Sequence, residues 1–195
     1  MGDERSQIVT AIARAVAEYG YARVTMEQVL RLADVSEDRF QAHFASLEQG
    51  LIAAQEAFLE QIRLEIAVAC DLDRPWTDNL CAALNAVLAY LTEASDLARG
   101  FAVEATASSL AASERHVTAQ EDLADLLRQG RRFHPRAEEM PDAVEQALIG
   151  GVASIVSARL LTEEPGTLIK LAPQFTEFLL LPYLGRAEAS RVARA

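Results

Sequence analysis

The chain is short of the residues on which most chemistry is built. It has two cysteines, one tryptophan, three histidines and one lysine (Lys170) among 195 residues. Cys70 and Cys81 both fall inside apolar helical patterns, which favours free thiols in a reducing compartment over a disulfide. His43, His116 and His134 are scattered, and neither they nor the cysteines have zinc-ligand spacing. There is no Glu-x-x-His pair of the kind that holds two metals in a helical bundle. Nor is there a phosphate-cradling glycine loop or a nucleophile elbow. These absences argue against an enzyme and predict no metal or cofactor. No uncharged apolar stretch approaches the roughly 18 residues of a membrane span. The start, Met1-Gly2-Asp3-Glu4-Arg5, lacks the apolar run of a secretory signal. A cytoplasmic chain without membrane contact is therefore expected. Strand-like alternation, internal repeats and low-complexity tracts are missing as well.

Positive charge is also scarce. The net charge is −11, which disfavours a general nucleic-acid binder, although a small basic face can sit on an acidic body.

What remains is half apolar and arranged at helical spacing. Ile8, Ile12, Val16 and Tyr19 form one stripe, ended by Gly20. Thr25 opens the next helix with Gln28 as capping-box partner. Met26, Val29, Leu30 and Ala33 are its apolar face. Ser36 caps a third, short helix that carries Phe40 and Phe44 inward. Ser46, with Gln49, starts a long fourth helix whose stripe, Leu51, Ala54, Phe58, Ile62 and Ile66, runs to about Cys70. Pro75 and Trp76 restart the chain. Breaks are expected near Ser95-Asp96, at Gly130, across 131–141 and at Pro165-Gly166. Apolar helices are expected over Asp142–Leu161 and Thr167–Leu181, followed by a charged, frayed tail.

Met26–Ala33 and Glu37–Phe44 flank a tight turn, Asp34-Val35-Ser36. Such a turn needs a residue that tolerates positive φ, an inward apolar residue and a cap. Asp, Val and Ser meet those needs in order. Pattern alone leaves two readings open, a helix-turn-helix and ordinary bundle helices.

The residues Val24–Leu30, Ala33-Asp34-Val35-Ser36, Phe40 and His43–Glu48 resemble the N-terminal signature of the tetracycline-repressor (TetR) family of transcriptional regulators. Pro182-Tyr183-Leu184-Gly185 is similar to an ending found in actinobacterial members. The resemblance implies an all-α fold. It has a three-helix helix-turn-helix domain at 1–46 and a C-terminal helical bundle at 47–185, which senses ligand and forms a two-fold dimer. A tail follows at 186–195. It implies a DNA-binding regulator, a repressor in the first instance, that meets a palindromic operator in double-stranded DNA as a homodimer and responds to a small-molecule effector. The other reading is the same fold serving as a ligand- or protein-binding module with weakened or lost DNA binding.

That second reading has a basis in the residues. Asp34 stands where the family usually has Gly, Gln41 where it has a phosphate-contacting Tyr, and Leu47 where it has a backbone-contacting Lys. From Thr25 to Gly50, two arginines, Arg31 and Arg39, face five carboxylates. Each lost phosphate contact flattens the salt dependence and weakens binding. If the segment reads DNA, Thr25 and Ser36 are capping residues and phosphate contacts. Arg39 is the candidate for bidentate guanine recognition, and Glu37 could accept from cytosine N4. Gln41 and His43 could reach phosphate or base edges, and Arg23 and Arg5 flanking phosphates.

In the body, the resemblance places a ligand cavity among the helices from about 50 to 130. Its candidate lining is Trp76, Asn85, Tyr90, Phe101, Glu104 and His116. The helix Asp142–Leu161 is apolar nearly all round, with small residues that permit close approach. Gly151, Ile155 and Ala158, with Phe175 and Phe178 of the last helix, are the expected dimer interface.

Overall fold

Ile8, Ala11, Ile12, Ala15 and Val16 recur at helical intervals and are fully buried, so the chain begins as a helix with one face committed to the core. In the computed structural model this is α1, Gly2–Tyr19. The structure describes residues 2–107, 123–133, 139–162 and 165–194. Gly20, at φ +80°, ends α1 in a conformation that side-chain-bearing residues avoid, and its N–H bonds to Val16 O at 2.8 Å.

α2 spans Met26–Ala33. The expected capping box is present: Gln28 N–H donates to Thr25 Oγ1 (3.3 Å), and Thr25 N–H to Gln28 Oε1 (2.8 Å). Asp34 closes the helix at φ 52°, ψ 46°, the left-handed region. α3 covers Glu37–Gln41, capped by Ser36. It is shorter than the expected Glu37–Phe44, because after Gln41 the chain tightens into a turn in which His43 and Phe44 N–H both bond to Phe40 O. That turn swings Phe44 beside Phe40, with ring centres 5.5 Å apart and both rings buried.

α4, Leu47–Ala69, is capped by Ser46. Gln49 reaches back to Ala45 N–H rather than to that of the cap. Its 23 residues make a rod of about 35 Å that leaves the helix-turn-helix and enters the body. There α5 (Trp76–Glu93) packs along it, and α6 (Ser95–Ala107) crosses α1. α7, residues 123–128, runs into a 3-10 turn, Gln129–Phe133. The rest of the helix expected over 113–129 lies outside the described residues. α8 is Val144–Thr162, and α9 is Ala172–Val192 after a 3-10 turn, Pro165–Leu171. All regular structure among the described residues is helical.

The C-terminal end differs from expectation. The tail continues as helix beyond Pro182, with a break at Gly185 (φ +73°), and does not fray. Ala189 is completely buried and Ser190 Oγ donates to Glu177 Oε1 at 2.5 Å, which docks the last turns onto the body. Its charged composition suggested solvent exposure, but Ala189, Val192 and the Ser190 hydrogen bond anchor it.

Candidate DNA-binding surface and ligand cavity

Phe40 and Val29 root α3 and α2 in the core, while Glu37, Asp38, Arg39 and Gln41 are all exposed. The outer side of α3 is thus open along its length. Thr25 and Ser36 are exposed and act as caps, with Arg39 N–H donating to Ser36 Oγ (3.4 Å). Gln41 Nε2 donates to Glu37 Oε1 (3.2 Å), one turn back. Arg23 is exposed on the turn before α2, and the Arg5 guanidinium lies 5.1 Å from the centre of the Phe44 ring.

The feature missed in the sequence is Glu4. From the first turn of α1 its carboxylate meets Arg39 Nη2 at 2.5 Å and accepts from His43 Nε2 at 3.0 Å. The hydrogen bond from His43, aided by Arg39 and opposed by desolvation, holds Glu4 below the usual carboxylate range. His43 is mostly buried, while Arg39 keeps about two-thirds of its side chain exposed. Two of the candidate DNA contacts therefore already share an internal anion.

In the body, the described helices surround a cavity of about 320 Å³. Its wall is almost wholly aliphatic and aromatic, drawn from α4, α5, α6, α7, α8 and α9. Of the expected lining residues, Phe101 is on the wall. Trp76 is not; it is buried elsewhere, edge-on to Tyr183 and stacked with Phe133, its indole N–H donating to Leu126 O. Asn85 is exposed and its amide donates to Cys81 O of its own helix. Tyr90 packs on Phe58 just outside the wall. The side chain of Glu104, and His116 entirely, lie outside the described residues. The residue not anticipated is Gln55. It lines the cavity, is 1% exposed, and has no hydrogen-bond partner among the described residues for either Nε2 or Oε1. It lies four residues after the buried Leu51 and three before the buried Phe58, on the apolar face of α4, but being polar it was not counted in that stripe.

With this geometry in hand, comparison with solved structures is decisive for the fold. No protein-family model matches the sequence, and no curated protein matches it. The structure does superpose on the fatty acid degradation regulator FadR of Bacillus halodurans, with TM-score 0.79 at 20% identity over 92% of this chain and 96% of that one. It matches TylP, a TetR regulator from Streptomyces fradiae, with TM-score 0.68 at 22% identity over 99% and 97%. It also matches Bacillus subtilis FadR in complex with stearoyl-CoA, with TM-score 0.70 at 18% identity over 92% and 98%. The chain has the TetR fold.

Two further features of the body stand out, a buried ionic cluster and an exposed apolar face. Below the cavity, Glu145 of α8 is fully buried. Arg131 grips both its oxygens at 2.8 Å and donates also to Met140 O and Pro141 O, while Tyr183 Oη donates to Oε1 at 3.0 Å. Burial pushes the Glu145 carboxyl up, but these donors outweigh it and hold it below its ordinary range. Burial beside this carboxylate drives the Tyr183 phenol far above its own. The second feature is an apolar face. Ile155 and Leu161 of α8 and Phe178 and Leu181 of α9 are each more than two-fifths exposed, and Ala158 is exposed between them. Phe178 packs over Gly151, where an added Cβ would lie 3.5 Å from its ring, and so joins the two stripes. Phe175, expected on this face, is buried in the core. By length and mean hydropathy (1.4) α8 would suffice to cross a membrane. Its composition is accounted for by packing against α6 and α9 on one side and this open face on the other.

Proposed function

We propose that this chain is a ligand-responsive transcriptional regulator of the TetR family, a repressor that binds a palindromic operator in double-stranded DNA as a homodimer in the cytoplasm, and not an enzyme. The observation that carries the reading is the capped helix-turn-helix whose second helix is rooted by Phe40 and open on its outer side at Glu37, Arg39 and Gln41. That side would enter the major groove, with Thr25, Ser36, Arg23 and His43 on the flanking backbone. The apolar face of Ile155, Ala158 and Phe178, with Gly151 beneath it, would pair two copies. Two recognition helices would then stand about 34 Å apart, one turn of duplex.

The effector is a small, largely apolar molecule held in the cavity. The cavity wall supports this, as does the stearoyl-CoA complex of B. subtilis FadR. α4 runs unbroken from the helix-turn-helix to the cavity, and α6 crosses α1 so closely that a Cβ on Gly100 would come within 2.5 Å of Val16 Cγ1. Ligand that moves α4 or α6 would change the spacing of the two DNA-binding domains through a coupling of about 1–3 kcal/mol.

A second reading, the same fold without strong DNA binding, is favoured by Glu4, which occupies Arg39 and His43, and by the surplus of carboxylates around α3. A gel shift against the gene's own upstream region at about 50 and 200 mM salt separates the two. A shift at low salt that weakens steeply supports the regulator. No shift with any promoter fragment at low salt supports the module.

A further inference from the structure

A buried primary amide with both of its polar atoms unpaired costs free energy in the empty protein, and the cost is recovered only when a partner arrives. Gln55 is such a group. Its side chain lies on the cavity wall, 1% exposed, with Nε2 and Oε1 both unpaired among the described residues. The other polar residues on the described wall are Arg63 and Ser157. Arg63 is exposed and its guanidinium turns to Glu60 at 3.3 Å. Ser157 is half-buried on α8. A water beside Gln55 would need two to four polar partners, and the aliphatic surroundings supply few.

We propose that Gln55 is the specificity-determining residue of the effector cavity, and that the effector is a neutral, mainly aliphatic molecule carrying one group with a hydrogen-bond donor and acceptor side by side: a primary amide, a lactam or an un-ionised carboxylic acid. The inference deepens the effector reading above and rests on it. The chemistry follows from the amide itself. Nε2 presents donors and Oε1 presents acceptor lone pairs. A ligand edge that offers the reverse pair satisfies both atoms at once, and one that offers an acceptor alone leaves Oε1 bare. A carboxylate cannot donate to Oε1, and beside Gln55 its charge would lie among aliphatic side chains, about two turns of α4 away from Arg63. The cavity, about 320 Å³, is at the small end of ligand sites, which fits a medium-length chain with its polar head at Gln55.

The test uses the protein of the full sequence given, calorimetric titration and two probes of equal acyl length, decanamide and methyl decanoate, the second with acceptors only. The wild type should bind decanamide about tenfold more tightly, the value of one further buried hydrogen bond. Gln55→Leu should abolish that preference while keeping methyl decanoate affinity within a factor of about three. It should also melt no lower than the wild type, because an unpaired amide is replaced by an apolar group of similar size, and this verifies its folding. If Gln55→Leu retains the amide preference, or the wild type shows none, the assignment of Gln55 falls while the cavity remains an effector site. If neither probe binds the wild type or the variant, the effector reading of the cavity falls with it.

Discussion

At Glu4 the protein offers Arg39 and His43 a carboxylate where, on the proposed reading, DNA would offer a phosphate, so operator binding through these residues would have to displace an internal ligand before it gained an external one. Replacing the carboxylate by an amide of the same shape, Glu4→Gln, should therefore tighten operator binding several-fold. Arg39→Ala should weaken it and lower the slope of log affinity against log salt by about one, if Arg39 reaches phosphate. Anisotropy titrations of a labelled operator from about 50 to 200 mM salt check both. Unchanged affinity in Glu4→Gln together with an unchanged slope in Arg39→Ala would remove Arg39 from the interface. Asp34 makes a separate point. Its φ of 52° is borne by a residue with a Cβ, so Asp34→Gly should stabilise the fold by about 0.5 kcal/mol, read as a raised denaturant midpoint. The three caps Thr25, Ser36 and Ser46 and the left-handed Asp34 were legible in the sequence because each acts on a backbone group within a few positions. Glu4 was not, since its partner His43 is 39 positions away and only the packing of α1 brings them together.

At the scale of elements, Arg131, Glu145 and Tyr183 tie the turn after α7 to α8 and α9. The sequence placed Arg131 at the first position of an expected break over 131–141 and Glu145 near the start of an apolar helix, and nothing local joins them. Glu145→Ala removes three hydrogen bonds to a buried carboxylate while Arg131 keeps Asp142 and two carbonyls, so it should cost about 2–3 kcal/mol in denaturant unfolding. The pH dependence has a definite sign. Glu145 titrates below its ordinary value of 4.5 in the folded state, so its contribution is complete above that pH and is lost as the pH falls through the lower, folded value. Wild-type stability should drop in that acid range, and Glu145→Gln should lack this part of the drop. Helix existence was legible throughout the described body, because its stripes are long and apolar. Which stripe faces the cavity was not: α5 turns Leu80, Leu84 and Leu88 to it, while Trp76, at its first position, is claimed by the Tyr183 side.

For the whole molecule, the apolar face on α8 and α9 is the feature that a single copy leaves unexplained. Ile155, Leu161, Phe178 and Leu181 are exposed together, on helices whose other sides are already packed. Contiguous apolar patches of this kind on a soluble protein mark interfaces. Small residues of α8 such as Gly151 and Ala158 leave room for another helix to approach. A charge at the centre of such a face has to be desolvated on pairing, whereas in a lone copy it remains in water. Phe178→Glu should therefore convert a dimer to a monomer in light scattering while leaving the melting temperature of the single chain close to that of the wild type at equal dilution. Phe175→Ala makes the contrast, because Phe175 is buried within one chain: it should lower stability by about 3–5 kcal/mol without any specific effect on assembly. If operator recognition requires two helices one turn of duplex apart, Phe178→Glu should also lose high-affinity binding to the full palindrome while retaining its weak affinity for a half-site. A Phe178→Glu protein that remains dimeric would place the two-fold contact elsewhere on the molecule.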